Sequence, residues 1–219
     1  MKNTWHRSLV YRKEVLKTTW KLRLFIGLVL AAVVIVPRGF WAKEIGQSLA
    51  CEEDVVHSDA LLVENFDINY PVFQRAAALQ RAGVSSRALV PVNTGVGPSA
   101  LKEMSGQFVE VMARVARLRE FEIIPFEEKE PISLNAAKQI RDFLKKEHIN
   151  SVIVVSPGFR SRRSQMVYKS ALEPAGIRVG CIAVFGTRTP LNWTSTWHGI
   201  QEAGQQFLKL QYYRFYVLL

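Results

Sequence analysis

The chain has 219 residues, 48% of them apolar and 22% charged, proportions that fit one globular domain with a short extra segment and exclude a disordered or collagen-like chain. Its formal charge of +10 would ordinarily point to nucleic acid, but seven basic residues against Glu14 place a net +6 in the first 23 positions. No zinc-finger spacing, RNA-binding aromatic signature or helix-turn-helix accompanies that charge, so nucleic acid is not an expected partner.

The basic segment 1–23 runs into an unbroken apolar stretch from Leu24 to Val36, bounded by Arg23 and Arg38 and then by Trp20 and Trp41. Apolar residues flanked by interfacial aromatics and cations predict a single transmembrane helix over 24–41. The fourteen positions between the two arginines span only ~21 Å of helix against a hydrocarbon core of ~30 Å, so both guanidinium groups must snorkel. A buried core helix would also suit a run of this length. A cleaved signal peptide is a further alternative, because Ser48-Leu49-Ala50 offers small residues before Cys51, although that site lies far beyond the apolar run. The positive charge ahead of the span predicts a cytoplasmic N-terminus, an inner-membrane location and an extracytoplasmic remainder, periplasmic in a bacterium with two membranes.

Residues 42–58 are polar and read as a stalk. From 59 to 219 apolar runs alternate with amphipathic ones. Strands are expected at Ala60–Val63, Arg87–Val92, Phe121–Pro125, Ser151–Val155 and Gly180–Phe185. Helices are expected at Pro71–Ala82, Ser99–Arg119, Ser133–Glu147, Ser161–Leu172 and Trp197–Gln211. This alternation predicts an α/β fold, a Rossmann-like three-layer sandwich with a mostly parallel sheet. In such a sheet ligands bind beyond the carboxyl ends of the strands, which selects the loops that follow them.

The strongest chemical signal is the stretch Val154 to Ser164, a strand running through a small-residue turn past Arg160, Arg162 and Arg163 into a helix. Guanidinium groups beside free helix N–H groups suit a phosphate or carboxylate, and Ser156 stands at the strand end. Solvated helix-start charges are the plainer reading of the three arginines. Ser133 is a plausible N-cap, and Asn135 faces the same crevice if the strands are neighbours. Asn93 and Thr94 open a glycine-rich turn that lacks the lysine of a P-loop. Glu64 and Asp67 are carboxylates at a strand end and candidate bases. The sequence identifies no cofactor, no metal site and no spaced pair of nucleophile and base. Cys51 and Cys181 are expected as two free thiols, because positions so far apart carry no geometric warrant for a bridge, with a single Cys51–Cys181 bridge as the alternative in an oxidising compartment.

On the first strand Asp59 to Val63, the helix Ala76 to Gly83, the Asn135-Ala136 helix start and the Val154 to Arg163 segment, the chain resembles the YdcF-like family, which includes SanA and ElyC. Against that family's V-T-S-x-x-H-x-x-R-A pattern, Ser156 and Arg162 match while Val155 and Phe159 replace the threonine and histidine. Against T-x-E-N-A, Ile132 and Leu134 stand for the threonine and glutamate. The resemblance implies a Rossmann-like fold, a role in bacterial cell-envelope or surface-polysaccharide formation, and ligand-site status for Ser156, Arg162 and Asn135. The expected partner is an anionic, phosphorylated or nucleotide-like ligand. An enzyme acting on an activated glycan or lipid-linked phosphate, with Glu64 or Asp67 as base, and a non-catalytic envelope scaffold are the alternatives.

Overall fold

The computed structural model describes residues 19–36, 38–53, 57–67, 69–94 and 99–218. They divide into two compact units, 1–41 and 42–219. The first contains α1 (Trp20–Ile35), capped by the Thr19 hydroxyl, which accepts from the Leu22 N–H. The continuous helix expected across 24–41 is not formed. Helix α1 stops at Ile35 and α2 (Arg38–Ser48) begins after a break, and a proline at 37 lacks the N–H that an unbroken helix would require there. Among the described residues no single helix is long and apolar enough to cross a membrane, whereas the broken pair passes the same test together by length and composition.

The second unit is an α/β fold. Its strands β1 (Ala60–Val63), β2 (Arg87–Asn93), β3 (Phe121–Phe126), β4 (Ser151–Pro157) and β5 (Arg178–Val184) form one sheet in the order β3-β2-β1-β4-β5, with every pairing parallel. Helices α3 (Tyr70–Arg81), α4 (Ser99–Ala116), α5 (Ile132–Lys146), α6 (Gly158–Leu172) and α7 (Trp197–Tyr212) lie between and after the strands. All four residues of β1 are buried because both faces of the sheet are covered, which is why parallel strands read as continuous apolar runs. Leu61 and Val63 pack with Phe73, Ala77 and Val109 of α3 and α4, while Ala60 and Leu62 pack with Ile140, Leu144 and Val167 of α5 and α6.

Most helix boundaries fall within a residue or two of expectation, and the departures have local causes. Helix α3 ends with Gly83 at φ +73°, a left-handed position that suits a residue without Cβ. Helix α4 ends at Ala116 instead of Arg119. Arg117 itself takes the left-handed conformation, and the Leu118 N–H turns back to the Ala113 carbonyl at 2.8 Å as its side chain enters the core. Helix α6 begins three residues earlier than expected, directly after Pro157.

Two expectations about the start of the domain are overturned. Residues 42–53 are no free stalk. The Trp193 indole N–H donates to the Ala42 carbonyl at 2.8 Å, and a Cβ on Gly46 would come within 2.8 Å of the Pro190 backbone. Leu49 is fully buried with Phe159, Ala203 and Leu210. The cysteines are not free either: Cys51 is bonded to Cys181 on β5, their Cα atoms 6.3 Å apart. Burial of Leu49 and donation from the Arg162 N–H to its carbonyl at 3.1 Å bring Cys51 to the sheet, a placement that linear spacing does not encode.

Closing a loop of 130 residues carries a chain-entropy stabilisation of at most ~5 kcal/mol. The double variant Cys51→Ala/Cys181→Ala in the full chain is expected to lose ~2–5 kcal/mol of unfolding free energy, seen as a lower urea midpoint. An unchanged midpoint would show that the docked segment is held without the bridge.

Candidate functional site

Strand order reverses between β1 and β4, so the crevice beyond their carboxyl ends is the expected ligand position in a parallel sheet. The Glu64 N–H donates to the Val155 carbonyl at 3.0 Å and carries the side chain over this junction. Only 2% of Glu64 is exposed. Its carboxylate accepts from the Ser156 hydroxyl, and from the Ser164 hydroxyl at 2.8 Å to each oxygen. The Arg160 Nε lies 3.4 Å away. Arg160 reaches outward as well, its Nη1 donating to the Asp67 carboxylate at 2.7 Å while its guanidinium lies 4.7 Å from the centre of the Phe66 ring.

Residues 160, 163 and 164 share one face of α6, because positions three and four apart align on a helix. Arg163 therefore enters the crevice beside Arg160 and is 94% buried, only 6% of it being exposed. Its Nη1 donates to the Ser133 hydroxyl at 3.0 Å, its Nη2 to the Gln206 amide oxygen at 3.3 Å, and its guanidinium sits 5.3 Å from the centre of the Tyr213 ring. These partners are neutral. Among the described residues no carboxylate lies within ion-pair distance of Arg163, and its Nε is buried without a hydrogen-bond partner. Burial, and next the neighbouring Arg160 charge, pull the Arg163 guanidinium below its ordinary value.

The cavity that Arg160 and Arg163 line has a volume of ≈ 550 Å³. Phe66, Phe126, Ile132, Tyr212 and Tyr213 supply apolar wall, Lys209 a further cation, and Asp67, Asn93, Glu128 and Glu130 polar groups. The three carboxylate residues at the cavity are exposed, so the buried floor is cationic and the rim acidic.

The candidates proposed from the sequence separate cleanly. Ser133, Arg160, Arg163, Asn93 and Asp67 meet in this cavity. Ser133 is not the N-cap of α5: the helix starts at Ile132 with Pro131 at the cap position, and Ser133 lies on the buried stripe with Ala136, Ala137, Ile140 and Leu144. Its N–H donates to the Tyr213 hydroxyl at 3.1 Å. Asn135 fastens the preceding loop by donating to the Lys129 and Glu130 carbonyls, and Thr94 donates to Phe126, extending the β2–β3 ladder. The turn at 95–98 lies outside the described residues. Ser156 and Glu64 sit beneath the cavity and do not line it.

Arg162 points elsewhere. Its Nη1 donates to Glu52 at 3.2 Å, and it lines a separate hollow of ≈ 870 Å³ with Cys51, Gln165 and Phe207. The helical turn separates it from its neighbours: Ser161, Arg162 and Gln165 face the docked segment 49–52, with the Cys51 N–H donating to the Ser161 hydroxyl at 2.9 Å. A helix read from Gly158 would have divided the arginines this way.

Ser164, Tyr168, Gln206, Lys209 and Tyr213 were not foreseen. Ser164 and Tyr168 follow Arg160 at successive four-residue steps, a signal visible once α6 is phased correctly. Burial, and next the Glu64 charge, push the Tyr168 hydroxyl well above its ordinary value, and among the described residues it has no hydrogen-bond partner. The residues from α7 are brought in by tertiary packing alone. At the opposite ends of the strands another cleft, of ≈ 450 Å³, opens near Ser151 and Arg178. Asp59 there accepts from the Asn150 and Ser151 N–H groups at 2.8 and 2.9 Å, and the Asn150 bond above all holds its carboxyl below the usual range. Those bonds join β1 to the start of β4.

Among the described residues no group of three or more His, Cys, Asp or Glu is placed to hold a metal ion. Asp67 is the one candidate base that reaches the cavity, and Arg160 already engages it. The arrangement can bind an anion at its floor and accept hydrogen bonds from hydroxyl or amino groups at its rim. A scan against protein-family models finds no match to the chain, and a search of curated proteins finds no significant match.

Two variants separate a structural arginine from a ligand-facing one. Glu64→Ala leaves Arg160 with a single exposed partner and is expected to cost ~3 kcal/mol or more, since removing one member of a buried pair strands the other. Arg163→Met removes a buried cation that has no counter-ion, so without ligand it is expected to be at least as stable as the wild type. Urea unfolding of the full chain in detergent measures both. A large loss in Arg163→Met would assign that residue to the scaffold.

Proposed function

We propose that this is a membrane-anchored protein whose α/β domain binds a phosphorylated, hydroxyl-bearing ligand of the sugar-phosphate or nucleotide type, in the service of bacterial cell-envelope or surface-polysaccharide formation. The observation that carries the reading is Arg163. A buried guanidinium with only neutral partners and an orphaned Nε, facing a cavity, is costly by itself and is completed by an anion. A phosphate on Arg163 and Arg160 would leave the ligand's hydroxyls toward Asp67, Glu128 and Asn93, with Phe66, Phe126 and Tyr212 offering ring faces. The strand order β3-β2-β1-β4-β5, with the cavity beyond the strand ends, supports a Rossmann-like arrangement.

The membrane part of the reading has separate support. Among the described residues of α1, Leu24, Phe25, Leu28, Leu30 and Val33 are all exposed and lie around its circumference. Such a surface suits lipid better than water. At 16 residues the helix rises ~24 Å, so a span needs residues beyond it. The Cys51–Cys181 bridge supports an oxidising compartment for the domain, as expected outside the cytoplasm. The envelope role rests on these two features together with the resemblance described above.

Binding without turnover is favoured over catalysis because the Glu64 oxygens are occupied by Ser156 and Ser164 and Asp67 is ion-paired. Thermal unfolding of the full chain in detergent, against inorganic phosphate, sugar phosphates, nucleotides and nucleotide sugars, tests the proposal. A ligand at 100 times its Kd is expected to stabilise the native state by ~2.7 kcal/mol. Arg163→Met is expected to abolish the shift and Arg162→Ala to preserve it. If none of these anions shifts the wild type, or if Arg163→Met responds equally, the anion-site reading fails.

A further inference from the structure

We infer that the exposed face of α7 and the π-helical turn Tyr213–Val217 rests on the surface of an anionic bilayer. The inference builds on the membrane reading of residues 24–41 and adds a second contact made by the folded domain itself. Ile200, Gly204, Leu208, Tyr212 and Tyr216 recur every four residues, so they lie along one side of the helix. The opposite side, with Gly199, Ala203, Leu210 and Tyr213, is buried.

Beside the exposed Gln201 and Gln205, the exposed side carries a stripe of large apolar and aromatic residues. Trp197 is 72% exposed, Leu208 70%, Phe215 57% and Tyr216 83%, and the rings of Tyr212 and Tyr216 stack with centroids 6.1 Å apart. Exposed apolar surface gathered along one element marks an interaction site. Its chemistry selects lipid. Trp and Tyr join apolar bodies to polar edges and favour the headgroup level, and the exposed Arg214 supplies positive charge at its flank. From residue 203 to the last residue there is no Asp or Glu, and Glu202 just before is held by Arg188 at 2.9 Å. A basic, acid-free segment with aromatic residues complements anionic headgroups.

Chain continuity favours the same occupant. Ala42, with which the folded domain begins, accepts the indole N–H of Trp193, four residues ahead of Trp197. The first residue of the folded domain therefore lies at the threshold of α7. A further exposed apolar stripe, Phe108, Val111 and Val115 on α4, has neither feature: it carries no Trp or Tyr, and Glu110 is exposed on the same helical turn.

Photo-crosslinking from the full-length chain tests this. The chain is placed in vesicles of equal phosphatidylcholine and phosphatidylglycerol, with p-benzoylphenylalanine replacing Leu208 or Tyr216. The same probe in place of Phe25 reports on the anchor, and in place of Val111 on the α4 stripe. Lipid adducts at 208 and 216 comparable with those at 25, and several-fold above those at 111, are expected, with the yield at 208 and 216 falling when phosphatidylcholine is the sole lipid. Adducts at 25 with only the level of 111 at 208 and 216 would overturn the inference and leave the anchor standing. Background at all four positions would remove the anchor reading and this inference with it. Adducts from 208 or 216 to protein instead of lipid would identify the face as a protein interface and overturn the lipid assignment.

Discussion

The Glu64 carboxylate, buried where the strand order reverses, constrains everything around it. Taking such a charge out of water costs several kcal/mol unless its oxygens are fully engaged, and a lone counter-ion is not sufficient. Here two hydroxyls and a guanidinium engage it, from Ser156 at the end of β4 and from Arg160 and Ser164 on α6. Satisfying Glu64 therefore sets the rotation of α6 about its own axis. Once that is set, Arg163 has to face the cavity, and Ser161, Arg162 and Gln165 have to face the other way.

That second face explains why the segment leading into the domain is part of it. The Ser161 hydroxyl takes the Cys51 N–H, the Arg162 N–H goes to Leu49, and Gln165 reaches the Glu52 carbonyl. The Cys51–Cys181 bond ties the same segment to β5, on the far side of α6's first turn. One helix end is thus held by a buried ionic group on one side and by a covalently fastened strap on the other. A rigid frame of this kind can keep an uncompensated cation such as Arg163 in place, since the surrounding groups cannot rearrange to cover it.

Two arginines three residues apart consequently do different work. Arg160 is neutralised by Glu64 and Asp67, so its charge chiefly maintains the site. Arg163 touches a hydroxyl, an amide oxygen and an aromatic face, none of which carries a compensating charge. The difference turns a cluster of basic residues into a cavity with a directional preference, cationic at its base and acidic at its mouth. The same geometry leaves little room for catalysis by Glu64, whose basic oxygens are already committed.

The order of strands and helices was set by local chemistry and was legible along the chain. Runs such as Ala60 to Val63 and Ser151 to Val155 can be buried on both faces only as interior parallel strands, and the stripe Ala136, Ile140, Leu144 has the period of a helix. That chemistry also drew attention to Arg160 and Arg163, because strand, turn, arginines and helix follow one another in sequence. It did not extend to rotation about a helix axis or to contacts between distant segments. Starting α6 at Ser161 instead of Gly158 merged Arg162 with its neighbours. Treating residues 42–58 as a polar connector hid Leu49, one apolar residue whose burial brings Cys51 to a partner 130 positions away. Those features were decided by tertiary structure, because they depend on how buried charge and apolar surface are satisfied together in three dimensions, and linear spacing carries no record of that requirement.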